Sequence, residues 1–178
     1  MTPRLVDTPV LETERLTLRA FGPQDVEAGT AFLMSERARY MGGPYSAHDA
    51  WEHCVFLIGH WAMRGFGLFA ICLKGSDTAI GDTGPFQPGA WPEPEIGWGI
   101  WDQAHEGKGY AFEAAQAARR YAHDTLGWST AVSYIDPDNA RSIALAERLG
   151  CVRDAGAPLP DLPGWDGTLV YRHPGKAA

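Results

Sequence analysis

Two short segments of the sequence contain residues whose types and spacing suit the binding of a phosphate-bearing ligand. Residues 107–109 (Gly-Lys-Gly) lead into an Ala-rich helical segment, and residues 136–139 (Asp-Pro-Asp-Asn) lead into another. The first residues of a helix carry unpaired backbone N–H groups and a partial positive charge, so they can hold a diphosphate. Glycine at positions 107 and 109 leaves that approach free of side chains. The sequence therefore predicts an anion site beside a strand edge.

The glycine pattern does not match two common phosphate-binding motifs. A P-loop would need Gly in place of Asp102 and Ser or Thr in place of Gly109. A dinucleotide-binding G-x-G-x-x-G segment would need Gly in place of Phe112. A tight strand-to-helix turn without any ligand is the alternative for so short a pattern. The surrounding sequence must decide between the two.

Composition and charge limit the class of protein. The 178 residues, of which 45% are hydrophobic and 21% charged, predict one globular domain over 1–178 with an ordered core of about 8–173. A net charge of −7 and the lack of a Lys/Arg run disfavour direct nucleic-acid binding. Without a basic, apolar start or an apolar run of ~20 residues, we expect a cytoplasmic protein that does not enter membranes. Oligomeric state stays open, with a homodimer as one alternative.

Cysteine and histidine spacing gives no metal or disulfide signal. Cys54, Cys72 and Cys151 are odd in number and far apart, so we expect small buried side chains. His53 and His60 lie seven residues apart without an acidic third ligand, and no metal site is predicted.

Hydrophobic periodicity predicts mixed α and β structure in the order β, α, α, β, β, β, α, β, α, β, β, in which the strand before the last has no assigned bounds. Small residues on one side of the third helix would let it lie close to a sheet. The predicted strands cover 11–21, 66–73, 79–86, 95–101, 128–135 and 168–172; the predicted helices cover 25–39, a segment from the N-cap Ser46 through Trp61, 108–126 and 139–149.

Five blocks of this sequence together resemble the GCN5-related N-acetyltransferases (GNAT), especially the branch that includes ribosomal-protein N-terminal acetyltransferases. Each block is short, but all five occur in the family's order and span nearly the whole chain. They are residues 11–19 (LETERLTLR), 95–98 (EIGW), 107–114 (GKGYAFEA), 136–142 (DPDNARS) and 147–151 (ERLGC).

The resemblance implies a single-domain α/β fold of the α+β type, with a central mixed, mostly antiparallel sheet, a splayed strand pair and flanking helices. It also implies acetyl-CoA as cosubstrate, no metal, and direct attack by a primary amine, either a protein N-terminus or a small molecule. The cofactor residues that it implies are Ile100 and Trp101 along the pantetheine arm, the amides of Glu106, Gly107, Lys108, Gly109, Tyr110 and Ala111 around the pyrophosphate, and Asn139 and Ser142 on the next helix. A helix cap is the alternative or additional role of Asn139.

For the chemistry, Glu95 is the predicted general base, directly or through water, because burial by Trp91 and Trp98 would raise its pKa. An exposed charge at the start of a strand is the alternative, and Glu93 and Asp82 are reserve bases. A backbone N–H near Ile100 or Trp101 is the candidate oxyanion donor. The loops 41–46 and 158–167, with the tryptophans near them, would form the acceptor pocket in the resembling fold.

Three residues depart from the family pattern. Ala146 replaces the Tyr that protonates the departing thiolate, so Ser142 or an ordered water would have to substitute. Ala104 replaces a Gln or Arg, and Glu106 places a negative side chain beside the diphosphate site. These departures leave two alternatives open: a non-catalytic acyl-CoA-binding or sensing module, and an interaction domain that uses exposed tryptophans.

Overall fold

The computed structural model describes residues 5–175, in which eight strands form one sheet and four α-helices cover its faces. The strands are β1 Leu11–Glu12, β2 Leu16–Ala20, β3 Phe69–Leu73, β4 Ala79–Phe86, β5 Glu95–Ile100, β6 Val132–Ile135, β7 Val152–Arg153 and β8 Leu169–Arg172. The helices are α1 Val26–Leu33, α2 Ala47–Arg64, α3 Tyr110–Asp124 and α4 Ala140–Arg148, with 3₁₀ turns at Pro23–Asp25, Glu36–Met41 and Gln103–His105.

The sheet has the strand order β1-β2-β3-β4-β5-β6-β8-β7. Neighbouring strands are antiparallel except β5 and β6, which run parallel and pair only at Glu95 and Val132. Past that single bridge the two strands carry no further ladder pairing, so a V-shaped gap opens between them. The expected fold class, a mixed and mostly antiparallel sheet with a splayed strand pair, is confirmed.

Helix positions follow from caps and small side chains. The Ser46 hydroxyl accepts the Asp49 N–H at 3.2 Å and starts α2, as predicted, and Gly65 ends it in the left-handed conformation. Helix α3 lies against β4 and β5 because its sheet-facing residues are small. These are the buried Ala114, Ala115, Ala117, Ala118 and Ala122.

Three predicted boundaries are wrong, two because local polar side chains compete with regular structure and one because of a glycine turn. The strand predicted over 11–21 breaks where Thr13 accepts the Leu16 N–H at 2.9 Å, leaving β1 and β2. The helix predicted over 25–39 ends at Leu33, and Ser35 caps a separate 3₁₀ turn instead. The strand predicted over 128–135 begins at Val132, after the turn that Gly127 makes with positive φ.

The predicted burial of Cys54, Cys72 and Cys151 is confirmed. His60 is also buried, and both its ring nitrogens bond to the backbone, Nδ1 to the Phe66 carbonyl and Nε2 to the Gln87 N–H. Within residues 5–175 no group of His, Cys, Asp or Glu side chains is arranged to hold a metal ion. No helix in that range has the length and apolarity to cross a bilayer.

A buried polar pair lies behind the splayed strands. Ser133 donates to the Ile96 carbonyl at 2.6 Å, and its Oγ lies 3.0 Å from Nε2 of His173. His173 is 2% exposed, and burial, with smaller effects of Arg119 and His123, lowers its pKa to about 3. The imidazole is therefore neutral in the folded protein at all but strongly acidic pH.

We expect His173 to make the protein acid-sensitive. The unfolded chain takes up a proton below a pKa of about 6.5 while the folded state does not, so stability falls as pH drops from about 6.5 toward 3. Between about pH 7.5 and pH 5 this contributes on the order of 2 kcal/mol. Urea unfolding of His173→Gln should show a smaller pH dependence than the native chain. Equal pH dependence in both proteins would contradict this role.

Candidate active site

A cavity of about 470 Å³ lies between the 3₁₀ turn Glu36–Met41, the end of β5, and the amino ends of α3 and α4. Most of the residues predicted from the sequence to bind a cofactor line it: Ile100, Glu106, Gly107, Gly109, Tyr110, Ala111, Asn139 and Ser142. Trp101 and Lys108 do not line it. Trp101 is buried against Phe21 and Phe32, and Lys108 lines a neighbouring cavity.

The end of β5 presents unpaired backbone groups to this cavity. The Trp101 N–H donates to the Ile80 carbonyl of β4 at 2.9 Å, whereas the Ile96 carbonyl faces β6 and accepts from Ser133. Backbone groups alternate along a strand, so the N–H groups of Trp98 and Ile100 point into the V-shaped gap. The suggestion that Trp101 could donate to an oxyanion is therefore wrong, and Trp98 and Ile100 are the available donors.

The glycine turn before α3 is shaped by its backbone and held from behind. Gly107 and Gly109 have φ values of +70° and +80°, and a Cβ at Gly107 would meet no atom within 4 Å. Behind the turn, Arg15 donates to the Lys108 carbonyl at 2.9 Å and to Glu113 at 2.7 Å. The turn thus leaves open space in front of the first N–H groups of α3.

Glu113, in the first turn of α3, accepts the hydrogen bonds from Thr13 and Arg15 that hold the glycine turn from behind. Its partial burial favours a higher pKa, but hydrogen bonds from Thr13 and Arg15 outweigh that effect and lower the pKa. The carboxylate therefore stays ionised and joins the turn between β1 and β2 to α3. Two of the five sequence blocks, 11–19 and 107–114, meet at this contact.

The start of α4 brings a hydroxyl to the cavity. Asn139 is the N-cap of α4, and its side chain accepts the Ser142 N–H at 3.2 Å, so the capping role is confirmed. Ser142 lines the cavity, and its Oγ lies 3.4 Å from the Trp98 indole nitrogen, which donates to it. The Ser142 hydroxyl proton is then available to a neighbouring group.

Two arginines that the sequence did not single out neutralise Glu106. Arg37 donates to one carboxylate oxygen at 2.5 Å, and Arg141 pairs with the other. Arg37 also donates to the carbonyls of Ile100 and Trp101 at 3.0 and 2.9 Å, which ties the end of β5 to the turn after α1. Two guanidinium groups against one carboxylate leave this wall of the cavity positive, despite the acidic residue beside the turn. Arg37 falls inside the helix predicted over 25–39, and no local sequence pattern indicates this role.

Carboxyl groups with raised pKa values lie on the opposite face of the sheet. Glu95 is half-buried where β5 and β6 begin to diverge, and it accepts the Trp91 indole N–H at 2.6 Å. Burial raises its pKa to about 7 despite hydrogen bonds from Trp91 and the Tyr134 backbone N–H. Asp82 pairs across the ladder with Gly99, and burial likewise raises its pKa to about 7, partly offset by Trp101. Neither carboxyl group lines the 470 Å³ cavity itself.

The remaining predicted positions are placed as follows. Glu93, a reserve base, is paired with Arg172 at 2.7 Å. Ala146 is fully buried with Ala115 and Leu149, so position 146 faces the core. Ala104 lies in the exposed 3₁₀ turn before the glycines.

The two loops expected to form the acceptor pocket reach different places. Met41 lines the cavity. Trp165, in the loop 158–167, packs edge-on against Trp91 at 4.9 Å and Tyr134 at 5.4 Å between ring centroids, next to Glu95. The structure therefore brings one loop to the cavity and the other to the predicted base.

Comparison with known proteins agrees with this geometry. The profile of the acetyltransferase (GNAT) domain family matches residues 15–152. A crystal structure of an acetyltransferase from Agrobacterium tumefaciens strain C58 is 38% identical, with a TM-score of 0.86 over 97% of this chain and 98% of that one. An uncharacterised N-acetyltransferase p20 from Bacillus licheniformis is 29% identical over 156 residues, 81% of this chain and 85% of its own.

More distant structures share the fold. The ribosomal L7/L12 alpha-N-protein acetyltransferase RimL is 18% identical, with a TM-score of 0.69 over 97% of each chain. The aminoglycoside acetyltransferase AAC(6')-Ib, whose structure contains coenzyme A, is 19% identical, with a TM-score of 0.72 over 90% of this chain and 95% of that one. The family identified from the five sequence blocks is confirmed.

The raised pKa of Asp82 predicts a stability effect of opposite sign to that of His173. The folded state holds the Asp82 proton up to about pH 7, whereas the unfolded chain releases it near 3.8, so stability falls as pH rises through that window. The free energy of unfolding of Asp82→Asn, relative to that of the native chain, should therefore increase from about pH 5 to pH 8 by an amount on the order of 3 kcal/mol. Urea unfolding across this range tests it, and a constant difference between the two proteins would contradict it.

Proposed function

The chain belongs to the GNAT acetyltransferase family and is an N-acetyltransferase, and from that premise we propose that it transfers acetyl from acetyl-CoA to a primary amine by direct attack of that amine. The observation that carries the proposal is the V-shaped gap, in which the N–H groups of Trp98 and Ile100 are unpaired and which leads to the open glycine turn of α3. A cytoplasmic location, as expected from the sequence, belongs to the same proposal.

The described residues fit acetyl-CoA. Gly107, where a Cβ would meet no atom within 4 Å, leaves room at the N–H groups from Gly107 to Ala111, where a diphosphate would bind. The Glu106 N–H, which the resemblance also implied, is instead donated to the Gln103 carbonyl at 3.1 Å. The backbone of Trp98 and Ile100 offers partners for the amide groups of a pantetheine arm in the gap. Asn139 and Ser142 face the same cavity from α4. Coenzyme A in the AAC(6')-Ib structure, which shares the fold, supports this assignment.

Blocking the glycine turn should abolish cofactor binding. Gly107→Trp places an indole in the open space before the α3 amides, so calorimetric titration should show no binding of acetyl-CoA or CoA, whereas the native chain binds both.

Gly127→Trp is the matched control because Gly127 lies past the far end of α3, has a φ of +72° and likewise has no atom within 4 Å of a Cβ. Both variants place a side chain in the left-handed region of backbone conformation, which lowers the folding stability of each by about 1–2 kcal/mol. Loss of binding in both variants, or in neither, would count against the glycine turn as the cofactor site.

The chemistry requires a neutral amine, a polarised carbonyl and a protonated leaving group. Bound acetyl-CoA supplies the thioester, whose carbonyl carbon forms the new C–N bond as its C–S bond breaks. The Trp98 or Ile100 N–H donates to the carbonyl oxygen as negative charge develops on it. Glu95, with a pKa of about 7, accepts the amine proton. Ser142 donates a hydrogen bond to the departing thiolate, directly or through water, in place of the Tyr that Ala146 replaces. The thiolate takes its proton from solvent, to which Glu95 releases the proton of the amine.

Distance sets how Glu95 acts. It lies three residues before Trp98 on β5, about 10 Å along an extended strand, and its carboxylate is already hydrogen-bonded at the apex of the gap. One or more water molecules would therefore relay the proton from the amine. An amine would approach from the side of Trp91, Tyr134 and Trp165, whose rings favour cationic groups.

The acceptor is either a protein N-terminus or a small amine. Resemblance to the ribosomal-protein branch supports the first, while the AAC(6')-Ib enzyme shows that this fold also serves an aminoglycoside acetyltransferase. Screening N-terminal peptides and small amines for release of free CoA would separate the two.

A non-catalytic acyl-CoA-binding module is the second candidate, because position 146 lies in the core and supplies no acid. Tight binding of acetyl-CoA without thiol release across the whole amine screen would favour it.

Glu95→Gln should lower kcat/KM by about 100-fold, the usual contribution of a general base, without changing the Kd for CoA. In the native enzyme kcat/KM should rise with pH through about 7 as Glu95 loses its proton. This step should vanish in the variant, which keeps only the rise at higher pH that comes from deprotonation of the amine. Asp82→Asn is the comparison, since Asp82 has a similarly raised pKa. A full loss of rate in Asp82→Asn but not in Glu95→Gln would move the base to Asp82.

A further inference from the structure

A second cavity adjoins the candidate active site on the outer side of the glycine turn. It has a volume of about 390 Å³ and lies between the turn that joins β1 to β2, the first turns of α3 and the end of α4. Gly109, Phe112 and Arg148 line both cavities, so the two share a wall at the start of α3. The proposed acetyl transfer places no reacting group in this second cavity.

Its charge is opposite to that of the whole chain. Arg15, Lys108, Arg120 and Arg148 line it together with two acidic residues, Glu14 and Glu113. Arg15 and Glu113 neutralise each other through their salt bridge. Among residues 5–175, none of the remaining three cations has a carboxylate within 4.0 Å. Three cations against Glu14 leave the cavity positive in a protein of net charge −7.

Backbone position brings Lys108 and Arg120 to this cavity, and a ring contact holds Arg148 there. Arg148 stacks on the Phe112 ring with its guanidinium carbon 4.1 Å from the ring centroid, which holds it at the junction of the two cavities. Lys108 is the central residue of the glycine turn, with its carbonyl fixed by Arg15. Arg120 follows one face of α3 from Phe112 and Gln116, two turns along the helix.

We propose that this second cavity binds the 3′-phosphate of coenzyme A, with Lys108, Arg120 and Arg148 as its ligands, so that the enzyme distinguishes CoA from 3′-dephospho-CoA. The inference rests on the proposed function. When the diphosphate lies at the α3 amides and the pantetheine arm extends into the gap, the ribose must leave on the other side of the diphosphate. The second cavity adjoins that point and offers unpaired cations for a phosphomonoester.

The phosphomonoester carries most of two negative charges near neutral pH, and guanidinium groups hold phosphate through paired hydrogen bonds. The three cations are exposed, so solvent and salt weaken each contact. Recognition should therefore be a graded preference that fades at high ionic strength.

Calorimetric titration of the full chain with CoA and with 3′-dephospho-CoA, at low and at high ionic strength, tests the proposal. At low ionic strength CoA should bind about tenfold more tightly than dephospho-CoA, and the ratio should approach one at high ionic strength. Arg120→Gln and Lys108→Gln should each reduce the ratio to about threefold by weakening CoA alone, leaving dephospho-CoA unchanged. Arg64→Gln removes the same charge from the exposed end of α2, away from both cavities, and should leave the ratio at the native value.

The outcomes separate this inference from the proposed function. Equal affinity of the native chain for CoA and dephospho-CoA would overturn the 3′-phosphate site while leaving the acetyltransferase proposal intact. A native ratio that persists in both Arg120→Gln and Lys108→Gln would also overturn it. Failure of the native chain to bind either compound would instead remove the proposed function, and this inference with it.

Discussion

The single bridge between β5 and β6 is the constraint on which the site depends. A regular parallel pair would use the N–H and C=O groups of Trp98 and Ile100 in its ladder, and no gap would exist. Buried backbone groups without partners are costly, so the divergence must be stabilised where it starts. Ser133 caps the Ile96 carbonyl and the Glu95 carboxylate accepts the Tyr134 N–H, so side chains replace ladder bonds at the apex. The N–H groups of Trp98 and Ile100, further along β5, stay open to a ligand.

This arrangement places the reacting groups on two faces of one sheet. Side chains at even positions of β5, such as Trp98, pack toward α3 and α4, whereas Glu95 and Gly99 face α1 and α2. The anion site lies on the first side and the carboxyl groups with raised pKa values on the second. Separation of this kind keeps the negative carboxylates away from a diphosphate, and only the gap joins the two sides.

The distribution of charged side chains also favours an anion at this site. The chain is acidic overall, yet Arg15, Arg37 and Arg141 gather around the amino ends of α3 and α4. Two of them neutralise Glu106, so the acidic residue in front of the glycine turn becomes part of a positive wall. Arg37 also links the turn after α1 to the last residues of β5. The same contacts that set the electrostatics thus fix the shape of the cavity.

Local patterns in the sequence predicted the mixed α and β structure, nearly all of the element order and the glycine turn before α3, because hydrophobic period, caps and glycines act within a few residues. It also pointed to the positions of Asn139 and Ser142 at the start of α4. Which N–H groups are free could not be predicted, because that depends on the partner that each strand acquires on folding. Trp101 is paired with Ile80, and Trp98 is not. The partners of Glu106, and the cluster of Lys108, Arg120 and Arg148, come from segments far apart in the chain. Charges at such separations leave no pattern in a sequence, because folding alone brings them within hydrogen-bonding reach of one site.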